Sequence, residues 1–304
     1  MITIHESDLL APRKARRRTG CEDTLRIRER RTQRRQTVPL LRPMLELGID
    51  DGLVKGRLAS RRRGTATAER ALSDVDALSD AIAEVLGEVL PSKRLANPHV
   101  RVVLRGSEPR SAVLRFDALP RSTTDRDLVI RQRFCREYRL DPQAVAISHA
   151  LAPLPGGGAA GTIEFAPKAF IAAIHEGCAV RGIHADEIVS ELSLAHRAMT
   201  ARHGGGAGLV LLLAPGRTTF LLLDTDGLPK SVAALPETVD DADAQARMIS
   251  RVCRYAGLLG VGLARFPLFV GHNRGEGDRF IDQLRRLGCP LETFDPGRAG
   301  GGKS

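Results

Sequence analysis

Residues 208–231 read GLVLLLAPGRTTFLLLDTDGLPKS, and they hold the chain's strongest hint of chemistry. Two apolar runs, 209–213 and 218–223, flank the turn Ala214-Pro215-Gly216-Arg217. Runs of about five apolar residues bounded by turn chemistry suit strands buried on both faces. A strand-turn-strand carrying Gly216 and then the hydroxyls of Thr218 and Thr219 has the makings of a phosphate loop. Its backbone amides and hydroxyls could face an anion. The plain alternative is a hairpin with β-branched strand residues. Other chemistries find little support. The eight His form no HxH or HxxxH pair, so no metal site is argued. The five Cys (21, 135, 178, 253 and 289) form no CxxC pair and are odd in number, which fits reduced thiols in a cytoplasm. No nucleophile and base stand at a defensible spacing.

The elements that must position such a loop can be read in order. Residues 73–90 form a helix capped by Ser73, with Val75, Leu78, Ile82, Val85, Leu86 and Val89 at helical spacing. Residues 100–104 and 112–116 alternate as strands, and 122–139 is a helix with Ile130, Phe134 and Tyr138 on one face. Strands at 144–151 and 161–165 surround a Pro/Gly-rich loop. Pro167 opens a helix to about 181, closed by Gly182. Strand-like 183–189, helix 190–201, helix 240–255 with Asp240, Asp241 and Asp243 in its first turn, strand 265–270, helix 277–287 and strand 291–294 complete the pattern. Interleaved strands and helices argue an α/β protein with mixed sheets.

Charge is unevenly placed. Residues 1–63 hold 17 Lys+Arg against 8 Asp+Glu, and the remaining 241 hold 29 against 28. The body is nearly neutral, so the basic character belongs to the N-terminal fifth. Blocks of this density, RKARRR (13–18) and RIRERRTQRR (26–35), repel themselves and suit a disordered arm for acidic lipid headgroups or nucleic acid. The bland reading is a solvated tail in an Arg-rich genome, since only six of the 46 basic residues are Lys. No apolar stretch reaches the ~18–20 residues of a membrane span.

Over residues 96–290 the order and phrasing of the segments resemble the PilM-type type IV pilus assembly proteins, cytoplasmic members of the actin/FtsA-like ATPase fold. The likeness is carried by VLRFDALP (113–120) before a helix, by Leu140-Asp141-Pro142, and by Ala166-Pro167-Lys168 leading to Arg181-Gly182-Ile183. It continues through Ala214–Thr219 with the turn Asp226-Gly227, and Val270-Gly271-His272-Asn273 where the family has its adenosine loop.

The resemblance implies an α/β, actin-like (ribonuclease-H-like) two-lobed fold with mixed sheets, its N-terminal part shortened or degenerate. The implied units are a basic arm (1–45), a diverged first subdomain (46–120), an inserted αβ subdomain with a linking helix (121–204), a second subdomain (205–296) and a tail (297–304). It implies ATP and Mg²⁺ as possible ligands. Gly48, Asp50, Gly52 and Lys55 would form a first phosphate loop, Gly216, Thr218 and Thr219 a second, and Gly271 the adenosine site. Three departures predict weak or absent nucleotide binding and no efficient hydrolysis. Ala214 stands where the family has a metal-organising Asp, Pro215 removes an amide, and His272 replaces a Gly. The implied role is a cytoplasmic scaffold peripheral to the inner membrane. It would bind the cytoplasmic tail of a PilN-like membrane protein, with self-association and anionic lipid contact through 13–35 as further expectations. The alternatives are an active ATP-binding member of the actin/sugar-kinase superfamily, or nucleic-acid binding through the arm.

Overall fold

A computed structural model describes residues 43–294 apart from 61–63, 91–97, 107–108, 155–157, 204, 215, 237–238, 240 and 273–276. The arm expected at 1–45 lies outside the described residues up to residue 42, as do the tail 297–304, Pro215, Asp240 and Asn273.

Alternation builds the first sheet. In β1 (Met44–Asp50), Leu45, Leu47 and Ile49 pack into one apolar cluster, so Glu46, Gly48 and Asp50 belong to the opposite face. β2 (Leu53–Ser60) folds back antiparallel on β1, and β3 (Gly64–Ala71) does the same on β2. Residues 57–60 and 64–70, in a stretch with no clear period, thus lie on paired strands. β3 is a sheet edge and largely exposed, so its order comes from backbone pairing rather than from a buried stripe. α1 (Leu78–Val89) lays Ile82, Val85, Leu86 and Val89 on the apolar face. It starts five residues later than Ser73. The Asp74 carboxylate accepts from the Ala77 amide at 2.8 Å in the preceding turn, and Val75 stays exposed.

β4 (His99–Leu104) returns parallel to β1. The chain then leaves this sheet for an inserted unit. β5 (Arg110–Phe116), α2 (Thr123–Tyr138), β6 (Val145–Pro153) and β7 (Ala159–Pro167) form an antiparallel sheet in the order β5-β7-β6, with Ile130 and Phe134 of α2 packed against Leu114, Phe116 and Ile163. β5 bonds to β7, so Arg110–Phe116, which the expected division at 120/121 assigns to the first subdomain, shares the sheet of the inserted unit. α3 (Lys168–Val180) returns to the first unit, burying Phe170, Ile174 and Cys178 in its core. β8 (Glu187–Ser190) then pairs parallel to β4, giving the order β3-β2-β1-β4-β8.

After α4 (Glu191–His203) the same plan is repeated. β9 (Gly208–Ala214), β10 (Arg217–Leu223) and β11 (Pro229–Leu235) form an antiparallel meander. α5 (Ala242–Leu258) leads to β12 (Leu268–His272), parallel to β9. α6 (Asp278–Arg286) leads to β13 (Leu291–Phe294), parallel to β12. The order β11-β10-β9-β12-β13 matches the first sheet strand for strand. β9 is apolar throughout because it is central and covered twice. Leu209, Leu211 and Leu213 join the cluster containing α5 and α6 residues, and Val210 and Leu212 join the one containing α4 residues. α4 touches both sheets, with Leu192, Ala195 and Met199 against the second and Leu194 against Val103 and Val189 of the first. No helix of the described residues is long and apolar enough to cross a membrane.

Candidate functional site

The two candidate phosphate loops are the tight turns of equivalent hairpins. In the first, Asp50 pairs with Leu53 across Asp51-Gly52; in the second, Ala214 pairs with Arg217 across residues 215–216. Gly216 has φ +69°, a conformation that a β-carbon disfavours, so this Gly is required by the turn itself.

The pleat then separates residues that the sequence groups together. On β10, Thr218 is buried to 1% and lies on the side of Phe220 and Leu222, whose cluster holds α5. Thr219 and Arg217 face the opposite way, toward Ala214 and the start of α4. The two hydroxyls therefore cannot serve one ligand. Lys55 pairs with Glu69 at 3.6 Å and borders a hollow with Glu46, Gly48 and Arg57. Asp50 borders a different hollow, with Asp51, Asp74 and Val75. Gly52 is at the open tip of the first turn. Gly271 is packed from both sides: a β-carbon there would stand 2.7 Å from Phe294 and 2.8 Å from Leu212. It is a close-packing position between core side chains.

Two arginines, neither singled out from the sequence as a site residue, occupy the place where the hairpins approach each other. Arg217 Nη1 donates to the carbonyl oxygen of Gly106 at 3.1 Å. Arg105 lies over Gly48, where a β-carbon would be 2.9 Å from its Nη1, and its Nη2 is 3.7 Å from Glu46 Oε1 in a largely buried ion pair. The cavity lined by Arg105, Gly106, Ser190, Ala214, Arg217 and Thr219 has a volume of about 30 Å³. Among the described residues no group of three or more His, Cys, Asp or Glu could hold a metal ion. The two guanidinium groups are suited to anions, but Ala214 offers no oxygen ligand to a magnesium ion.

A larger hollow of about 310 Å³ lies between the first sheet and the inserted unit. β6 contributes Ala146, Ile147 and Ser148, β7 Glu164 and Phe165, β8 Ile188 and Val189, and α3 Ile171 and His175. β8 and β6 are each the outer strand of their sheet, so two strand edges border this groove. Glu164 fastens its inner end. One carboxylate oxygen accepts from Ser190 Oγ and from Ser193 Oγ, the latter at 2.7 Å, while Ser190 Oγ accepts from the Ser193 amide at 3.0 Å. Thus β7, the end of β8 and the first turn of α4 meet on one carboxylate. The only available signal in the sequence was a carboxylate inside an apolar strand, GTIEFA. Nearby, burial alone would push Glu187 up. Hydrogen bonds from Arg101 at 2.7 Å and Arg197 at 2.9 Å outweigh that and hold its carboxyl below the usual range.

The sequence reading also missed residues 297–304, GRAGGGKS, which spell the phosphate-binding pattern G-x-x-x-x-G-K-S. That pattern acts at a helix N-terminus after a strand. It follows β13 here, and its own residues lie outside those described.

No family model matches the chain, and no curated protein does. Solved structures do. A structure of the PilM–PilN type IV pilus biogenesis complex superposes with a TM-score of 0.55 at 17% identity, covering 84% of this chain and 89% of that one. A protein of Bacteroides thetaiotaomicron, described as having an actin-like ATPase fold and unknown function, superposes with a TM-score of 0.54 at 8% identity, covering 84% and 92%. Two five-stranded sheets of identical order, an insertion in the first and these superpositions agree that the chain has the actin-like ATPase fold.

Proposed function

We propose that the protein is a scaffold of a pilus or secretion-type envelope assembly, and that it holds an extended peptide in the groove between β6 and β8. The observation that carries this reading is the groove itself: apolar walls and two open strand edges. A peptide adding to a strand edge draws affinity from main-chain hydrogen bonds, while side-chain pockets such as that around Ile147, Phe165 and Ile188 select the sequence. The structural neighbour solved as a PilM–PilN complex points to the class of ligand, the cytoplasmic tail of a PilN-like inner-membrane protein. The protein would then sit on the cytoplasmic face of the inner membrane. The basic segment 13–35 would add attraction to anionic lipid at about 1 kcal/mol per Lys or Arg near the surface. Open strand edges serve a second copy of the chain equally well, so self-association is the competing use of the same surface.

An ATP-consuming enzyme is the less favoured reading, because Ala214 offers no metal ligand at the second hairpin and Arg217 beside it is engaged with the Gly106 carbonyl. Titration calorimetry of the full chain with a peptide copy of a candidate partner's tail tests the proposal. Micromolar binding that falls at least about tenfold in Ile188→Glu, with no heat from Mg·ATP, is expected. Unchanged peptide affinity in that variant, or ATP binding without peptide binding, would overturn it.

A further inference from the structure

Gly106 is the point where the two units meet. It belongs to the connection after β4, in the first unit, and a β-carbon on it would stand 2.1 Å from Asp51 Oδ1 and 2.8 Å from the Asp51 amide nitrogen. Asp51 is the turn of the first hairpin. On the other side, the Gly106 carbonyl receives Arg217 from the second hairpin, a hydrogen bond spanning 111 residues of sequence. Gly106 is thus wedged between both hairpins, and only a residue without a side chain fits. Its neighbour Arg105 is tied back to Glu46 of β1. Each hairpin therefore meets the same short connection.

We infer that Arg217 is a built-in clasp. It holds the second hairpin onto Gly106 and makes closure of the two units independent of any nucleotide or metal. The side chain suits that role, since a guanidinium is always charged and offers several donors in a rigid plane, and Ala214 beside it is too small to compete for the space. Among the described residues the buried Nε of Arg217 has no hydrogen-bond partner, so the contact leaves one donor that water would satisfy on separation. This inference concerns the contact between the units and stands whether or not the groove takes a peptide.

Hydrogen exchange read by mass spectrometry on the full chain tests it. Wild type, Arg217→Ala and Arg217→Lys are each compared with and without millimolar Mg·ATP. In wild type, exchange of peptides covering 103–106 and 209–223 should be the same with and without Mg·ATP. In Arg217→Ala it should rise about tenfold in those peptides, while α2 at 123–138 keeps its protection. If α2 also loses protection, that variant has unfolded and Arg217→Lys decides. It keeps the charge but loses the planar fork, and a several-fold rise confined to the same peptides is expected. Protection of wild-type 209–223 by Mg·ATP, or wild-type exchange in both variants, would overturn the clasp.

Discussion

Glu164 and Ala214 show how much one side chain decides in this molecule. A carboxylate inside an apolar strand is costly to bury unless its oxygens are satisfied, and Glu164 meets that need with the hydroxyls of Ser190 and Ser193. Removing it strands two donors at the junction of three elements. Glu164→Ala should therefore cost about 1–3 kcal/mol in chemical denaturation, and Glu164→Gln less, because its amide oxygen still accepts. An equal loss for both would mean that the hydroxyls take other partners. Ala214 makes the opposite case. Restoring a carboxylate with Ala214→Asp should leave Mg·ATP binding undetectable by calorimetry, since the new carboxylate would pair with the neighbouring guanidinium groups rather than hold a metal. Gain of binding from that single change would show that the missing carboxylate alone had silenced the site. Loop residues were legible at this scale because turn chemistry is local. Arg105, Arg217 and Glu164 were not, because their meaning lies in contacts across 59, 111 and 26–29 residues of sequence.

At the scale of elements, α4 holds one group whose protonation is linked to folding. Burial pushes the His196 imidazole below its ordinary 6.5, and the neighbouring Arg197 charge acts in the same direction. As pH falls, the unfolded chain takes up this proton before the folded one does. The stability contributed is therefore whole above about 6.5 and is lost as pH drops from there through the depressed folded value. His196→Gln should flatten that part of a stability-against-pH curve, and an unchanged slope would place the acid response elsewhere. Glu187, also depressed, adds its loss only further down, below the ordinary carboxylate value of 4.5. The cap of α5 behaves as its sequence announces, unlike the one expected at Ser73. The Asp241 carboxylate accepts from the Ala244 amide at 2.7 Å, and Asp241→Ala should cost about 1 kcal/mol by thermal melt. Elements with a buried stripe, such as α5 and β9, could be read directly. The edge strand β3 could not, because pairing and not pattern holds it.

For the whole molecule, the question is whether the inserted unit and the repeat unfold together. Val113 of β5 and Val232 of β11 pack against the same cluster as Met199 of α4 and Phe269 of β12, so the inserted unit, the linking helix and the second sheet share one apolar contact. α4 also joins the first sheet through Leu194, and Arg217 of the second hairpin donates to Gly106 in the connection after β4. With the interfaces this continuous, opening one unit exposes apolar surface on its neighbour, and a single cooperative transition is expected. The chain offers clean reporters: it has no Trp and only two Tyr. Tyr138 stacks near Phe134 in the inserted unit, and Tyr255 lies against Phe220 in the second. Tyr255→Phe leaves a probe of the first, and Tyr138→Phe a probe of the second. Tyrosine fluorescence in urea should give coincident midpoints for the two variants, matching the far-UV circular dichroism of each. If the inserted unit melts first, it is a separately folding module docked on the repeat, and the groove between β6 and β8 would open without disturbing the clasp.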